Sequence, residues 1–151
     1  MKILNKTLEF QTKEELDFID FTDKIEEFVE SSKIKNGIIN IQTMHTTAPL
    51  LLNENEPLLL EDFKNHLKKI SPKELEYNHN DFTKRTVNMC SNECKNGHSH
   101  CRALHFPSTI TLNIIEGKLQ LGEWQRIFLI ELDSSRLRKI QIQILGNYVE
   151  I

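Results

Sequence analysis

WQRIFLIELDSSRLRKIQIQILG, residues 124–146, decides the fold. Trp124 to Leu132 is the longest apolar run of strand character in the chain. Asp133-Ser134-Ser135 then reads as a turn. Beyond it, Ile140, Ile142 and Ile144 alternate with Lys139, Gln141 and Gln143, the period-2 signature of a half-buried strand that Gly146 ends. Two strands joined by so short a turn can pair only antiparallel. Upstream, Ile110, Leu112 and Ile114 alternate with Thr111 and Asn113, Glu116-Gly117 punctuates, and Leu119 and Leu121 follow. The last third is therefore a run of consecutive strands with tight turns.

The first half mixes strands with helices. Residues 2–11 put Leu4, Leu8 and Phe10 on one face of a strand and Asn5, Thr7 and Glu9 on the other. Thr12 and Glu15 match a capping box, which predicts a helix carrying Leu16, Ile19, Ile25, Phe28 and Val29 on one stripe and ending near Ser31-Ser32. Asn36-Gly37 reads as a turn. Ile38 to Met44 forms a strand that ends at His45-Thr46-Thr47. A second helix starts near Pro57, carries Leu60, Phe63, Leu67 and Ile70, and closes at Ser71-Pro72. Residues 71–102 are polar and without period, and read as one long loop. Strand, helix, strand, helix, loop and then consecutive strands define an α+β fold with two main helices and antiparallel sheets. With no repeat, low-complexity tract or linker, residues 1–151 read as a single domain.

Composition narrows the function. Nineteen basic against 22 acidic residues give a net charge of −3, which argues against a nucleic-acid coat or a polybasic membrane binder. No apolar run approaches the ~20 residues of a membrane span, and residues 1–4 lead straight into a strand rather than a signal-type apolar region. A cytoplasmic protein is the expectation. The apolar fraction of 38% is low, yet the chain carries six histidines and three cysteines.

Four patches carry chemistry. His45-Thr46-Thr47 with Asn53-Glu54 could hold an oxyanion, or Asn53 or Asn55 could simply cap the following helix. In Tyr77-Asn78-His79-Asn80-Asp81, Asp81 could orient His79, or could form an Asx-turn. His98 and His100, read on a strand, would present two imidazoles to one face as metal ligands; with His45 or His79 they would build a three-nitrogen site with an open position. In Leu121-Gly122-Glu123-Trp124-Gln125-Arg126, Trp124 walls a pocket or joins the core. Cys90, Cys94 and Cys101 are too few and too oddly spaced for a disulfide framework or a zinc ribbon; with His98 they form either a compressed zinc clip or a set of reduced thiols.

Together, in this order, these patches resemble the YjbQ-like family, whose members are often labelled secondary thiamine-phosphate synthases. The resemblance rests on His45-Thr46-Thr47-Ala48, Asn53-Glu54, Tyr77 with His79, Gly97-His98-Ser99-His100, Gly117-Lys118-Leu119, Leu121-Gly122-Glu123-Trp124-Gln125, Glu131-Leu132-Asp133, Arg136 and Gln143 to Gly146. It implies a compact homotrimer and a pocket lined by His45, Thr46, Thr47, His79, His100 and Gln125. His45, Thr46, Thr47 and Gln125 are then the expected catalytic residues. Asn53, Glu54, Trp124 and Arg126 are the expected substrate contacts, and His45, His79 and His100, with His98 beside them, the expected ligands of a divalent metal, zinc by the chemistry of imidazole. The implied reaction is a transfer that joins a hydroxymethylpyrimidine diphosphate to a thiazole phosphate and expels pyrophosphate. Its partner would be a small phosphorylated or anionic molecule. A non-catalytic metal- or metabolite-binding module is the alternative.

Overall fold

A computed structural model describes residues 1–148; residues 149–151 of the expected domain lie outside the described residues. The strands are β1 (Lys2–Gln11), β2 (Asp17–Asp20), β3 (Asn36–Thr43), β4 (Leu50–Asn53), β5 (Thr109–Ile115), β6 (Lys118–Leu119), β7 (Arg126–Glu131) and β8 (Leu137–Asn147). The helices are α1 (Thr22–Ser32), α2 (Pro57–Ile70) and the short α3 (Gly97–Ala103), with a 3-10 turn at Asn78–Asn80. A five-stranded sheet runs β1-β8-β3-β5-β6 and a three-stranded sheet runs β2-β7-β4, every pairing antiparallel.

The stretch 124–146 supplies the middle strand of the small sheet and an interior strand of the large one, so the two strands joined by the short turn do not pair with each other as expected but cross from one sheet to the other. β8 pairs along its length with β1, from Lys2↔Gly146 to Gln11↔Leu137, and with β3 on its other side. Its alternation buries Ile140, Ile142 and Ile144 against the small sheet and α1. β7 does not alternate, because both its faces are covered. Ile127 and Leu129 join the main core, while Ile130 joins a second cluster with Leu16, Leu67 and Leu132 beneath α2.

Three local expectations are corrected. No helix starts at Thr12. The Thr12 hydroxyl donates to the Glu131 carboxylate at 2.9 Å, and Glu15 pairs with Arg102 and Lys73. Leu16 adopts a positive φ of 61°, and residues 17–20 pair with β7, so Phe18 and Ile19 face opposite layers. The helix opens instead at Thr22, whose amide and hydroxyl both donate to Asp20. Asn36-Gly37 is not a turn but the start of β3. Gly37 lies opposite Gly146, and a Cβ on either would strike the other strand's backbone, at Leu145 O and Asn36 O respectively. Finally, residues 71–102 are not one loop, since they hold the 3-10 turn and most of α3.

The outward face of the large sheet is open. Asn5 and Thr7 on β1, Gln141 and Gln143 on β8, Asn40 and Gln42 on β3, and Thr109 and Thr111 on β5 form cross-strand rows without a charge. The next row, Ile3, Leu145 and Ile38, is apolar, with Ile3 and Ile38 exposed.

Candidate functional site

The connection between β7 and β8 gathers the histidines. Glu131, at the end of β7, is the only acid in an apolar run, and it is completely buried. Arg138 falls on the inward phase of β8, with Ile140, Ile142 and Ile144, and is 4% exposed. The two form a two-pronged ion pair, Nη2 to Oε1 at 2.6 Å and Nε to Oε2 at 2.7 Å. Such a pair is stable in a core only when its remaining valences are met. Here Thr12 and the Asp133 amide donate to Glu131, and Arg138 donates to the Thr47 hydroxyl at 3.2 Å.

That last bond fixes the β3–β4 loop. The Thr43 hydroxyl donates to Ala48 O at 2.6 Å and accepts from the His45 amide, and the Leu132 amide donates to Thr47 O. His45 Nε2 accepts the Lys139 amide proton at 2.8 Å. Burial and the nearby Arg138 hold the His45 ring below the ordinary histidine value, with Glu131 opposing. His45, the exposed Thr46, Met44, Pro49 and Phe106 line a cavity of about 360 Å³ that reaches Ala103 at the end of α3.

The second cluster hangs from Asp133. Its Oδ2 accepts from Arg136 at 2.6 Å and Asn96 at 3.0 Å, with Cys94 Sγ at 3.6 Å. Asn80 Oδ1 accepts the Gly97 amide proton at 2.9 Å, tying the 3-10 turn to α3. Gly97 is required there, because a Cβ would come within 2.8 Å of Tyr77 Cγ. The result sets the rings of His79 and His100 edge to face, 4.6 Å between centroids. Burial, then His79, push the His100 ring toward the neutral form. His79 Nε2 and Asn96 Oδ1 are buried without a hydrogen-bond partner.

Other expectations change. His98 and His100 lie on a helix rather than a strand, so a spacing of two residues turns them to different surroundings. His98, 1% exposed, turns to Glu15, Nε2 to Oε1 at 3.5 Å, and does not join the pair. Asp81 does not orient His79; its carboxylate accepts from the Thr83 amide and hydroxyl. Glu56, rather than Asn53 or Asn55, caps α2, accepting from the amides of Leu58 and Leu59. Cys90, Cys94, His98 and Cys101 do not converge, since Cys90 contacts Glu93 and Cys94 contacts Asp133. Among the described residues no three His, Cys, Asp or Glu side chains form a group able to hold a metal. Imidazole chemistry therefore offers two nitrogens, from His79 and His100, and no third from His45.

The Trp124 motif lies elsewhere. Arg126 pairs in register with Asn53 and is bound by Asp20 and Asp23. Gln125 closes its own loop onto the Gly122 amide, and Trp124 is 66% exposed rather than core. Five residue steps along β7 separate Arg126 from Glu131, roughly 17 Å of strand. A single chain thus holds Asn53, Glu54, Trp124, Gln125 and Arg126 at one end of the small sheet and the histidines at the other.

Glu131, Arg138, Asp133 and Asn96 were not among the expected site residues, and Cys94 was expected only as a zinc-clip ligand. The signal for the first two was present: one acid inside an apolar run, and one arginine on the buried phase of a strand.

A two-sheet α+β domain whose β7–β8 connection collects histidines, threonines and a buried ion pair is a class that comparison identifies. Residues 6–147 match the model of the UPF0047 protein YjbQ-like family, and the chain belongs to that family. It is 34% identical to a UPF0047 protein of Methanothermobacter thermautotrophicus over 97% of this chain and 95% of the relative. It is 28% identical to the UPF0047 protein YugU of Bacillus subtilis over 93% and 98%. Among solved structures, a YbjQ-like protein of unknown function from Sulfolobus solfataricus superposes with a TM-score of 0.86 at 34% identity, covering 97% of this chain and 99% of that one. A member of the family from Clostridium acetobutylicum gives 0.80 at 30% identity, covering 93% and 99%. Among the described residues no helix is long and apolar enough to cross a membrane.

Proposed function

We propose that the chain binds and acts on a small phosphorylated or otherwise anionic molecule at the end formed by His45, Thr46, Thr47, His79 and His100, and that copies associate into a homotrimer through the open face of the large sheet. The observation that carries the site is the pair of orphaned buried atoms, His79 Nε2 and Asn96 Oδ1, beside two touching imidazoles. Buried polar atoms are seldom left unpaired. His79 Nε2 would meet an anionic oxygen as an N–H donor or a cation through its lone pair, while Asn96 Oδ1, an acceptor, would take an O–H or N–H of the ligand or a cation. Thr46 offers an exposed hydroxyl donor, the buried Thr47 is held by Arg138 behind it, and imidazole suits proton transfer near neutral pH. A zinc-type cation would be held by His79 and His100, with its other positions outside the protein's own donors, and when bound would act as a Lewis acid on a phosphoryl oxygen.

The transfer between a pyrimidine diphosphate and a thiazole phosphate fits this reading because both molecules present phosphoryl oxygens. The open sheet face supports association because its middle rows carry no charge, Glu9 and Lys139 at one end pairing with each other, and it carries an exposed apolar row. Elemental analysis of untagged protein, paired with product detection from the two phosphorylated substrates, tests the reading. Bound zinc that is lost in His79→Ala and His100→Ala, with pyrophosphate release, is expected. Ligand-induced stabilisation with no turnover would establish a binding module instead, and absence of both metal and anion binding would refute the proposal.

A further inference from the structure

We infer that His45 is a fixed neutral donor: its Nδ1–H, together with the Thr46 hydroxyl, takes an oxyanion of the ligand, and the ring is neither a metal ligand nor a general base. This rests on the anionic-ligand reading above and assigns the role of one residue within it.

The argument is geometric. The ladder between β3 and β8 ends at Thr43↔Ile140. The Lys139 amide therefore has no β3 backbone partner, and the His45 ring takes that place at 2.8 Å. A main-chain amide can only donate, so the accepting Nε2 carries no proton. In a neutral imidazole the proton is then on Nδ1. Protonating Nε2 would set two N–H groups against each other, so the bond disfavours the cation. The adjacent Arg138 acts in the same direction.

The position is as fixed as the tautomer. β8 is held between β1 and β3, and the loop carrying His45 is closed by Thr43 to Ala48 and by Arg138 to Thr47. Nδ1 is the ring's remaining polar atom, and among the described residues it makes no hydrogen bond. His45 and Thr46 line the same cavity. A metal at Nδ1 would force the proton onto Nε2, into the Lys139 amide. General-base action at Nδ1 is blocked because that atom already holds its proton. What remains is donation to an acceptor, and preorganised donors bind a negatively charged oxygen, such as a phosphoryl oxygen, more strongly than a neutral one.

Two measurements test this. Long-range 15N–1H correlation spectra of histidine-labelled protein at neutral pH read the tautomer directly, before and after zinc. The result expected is a protonated Nδ1 and a bare Nε2 at His45, unmoved by zinc. A protonated Nε2, or a zinc-induced shift at His45, overturns the inference without any reference to ligand. The second is pyrophosphate affinity in two variants. His45→Asn places an amide nitrogen near the Nδ1 position, whereas His45→Gln reaches toward Nε2. His45→Asn should bind within a few-fold of wild type, and His45→Gln should lose roughly tenfold or more, the loss of one charge-assisted hydrogen bond. Wild-type binding with both variants unimpaired would leave the proposed site standing and refute the donor role. Failure of the wild type to bind pyrophosphate would refute the site itself, while the spectra would still decide the tautomer.

Discussion

Replacing Glu131 by Gln isolates the element on which the site depends. Glu131 is fully buried, accepts two guanidinium bonds from Arg138, and also receives Thr12 and the Asp133 amide. The substitution removes the charge, keeps the size, and leaves the buried Arg138 cation uncompensated. Breaking a buried pair from one side costs about 3–5 kcal/mol. Against a total stability of roughly 5–15 kcal/mol that is a large share. At about 2 kcal/mol per molar urea, the midpoint should fall by roughly 1.5–2.5 M. The assay is urea unfolding at one fixed protein concentration, since association shifts the midpoint. The double variant Glu131→Leu/Arg138→Met removes both charges and should recover most of the loss, because well-packed apolar pairs often replace buried ion pairs without penalty. It should not recover ligand binding, since the bond from Arg138 to Thr47 goes with the arginine. A cost below about 1 kcal/mol for the single change, or a double variant as unstable as the two single changes summed, would refute this account of the pair.

Three further predictions follow from particular contacts. His45, His98 and His100 are all held below the ordinary value of 6.5, chiefly by burial, so the unfolded chain takes up their protons first. Stability should be full above that value and decline as pH falls from about 7 to 5, with a shallower decline in His98→Gln; a flat or rising urea midpoint would contradict it. Gly37→Ala should cost about 1–3 kcal/mol or more, because the added Cβ meets the Leu145 carbonyl, which is backbone of the paired strand. Thermal unfolding unchanged from wild type would show that the strands part more easily than their packing indicates. Gln141→Glu with Gln143→Glu places two charges in the middle of the open sheet face, and sedimentation should then report a monomer in place of the proposed trimer. An unchanged mass would move the association surface elsewhere.

The fold was legible where one periodicity acted alone. Ile140, Ile142 and Ile144 announced β8, and the apolar run from Trp124 to Leu132 announced the strand that proves to be β7, covered on both faces. The helix predicted from Thr12 was not, because Glu15 and Thr12 answer to Arg102 and Glu131, partners far away in sequence. Residues too few to show a period misled in the same way. His98 and His100 sit on a helix of seven residues, and their separation into two environments follows from that alone. Of the site, the histidines were visible by type, while the ion pair that holds them was visible only as two charges in buried phases. The separation of the Trp124 motif from the histidines had no local signal, since it is set by the length of β7.

The central claim is that the histidine end takes an anion. Calorimetric titration of untagged protein with pyrophosphate, in parallel with His100→Ala, Thr46→Val and Arg126→Ala, tests it most directly. The account predicts saturable binding that His100→Ala and Thr46→Val weaken and Arg126→Ala leaves intact, because Arg126 is already committed to Asp20 and Asp23 at the far end of β7. Absence of binding, or binding abolished by Arg126→Ala and indifferent to the histidine end, would contradict it.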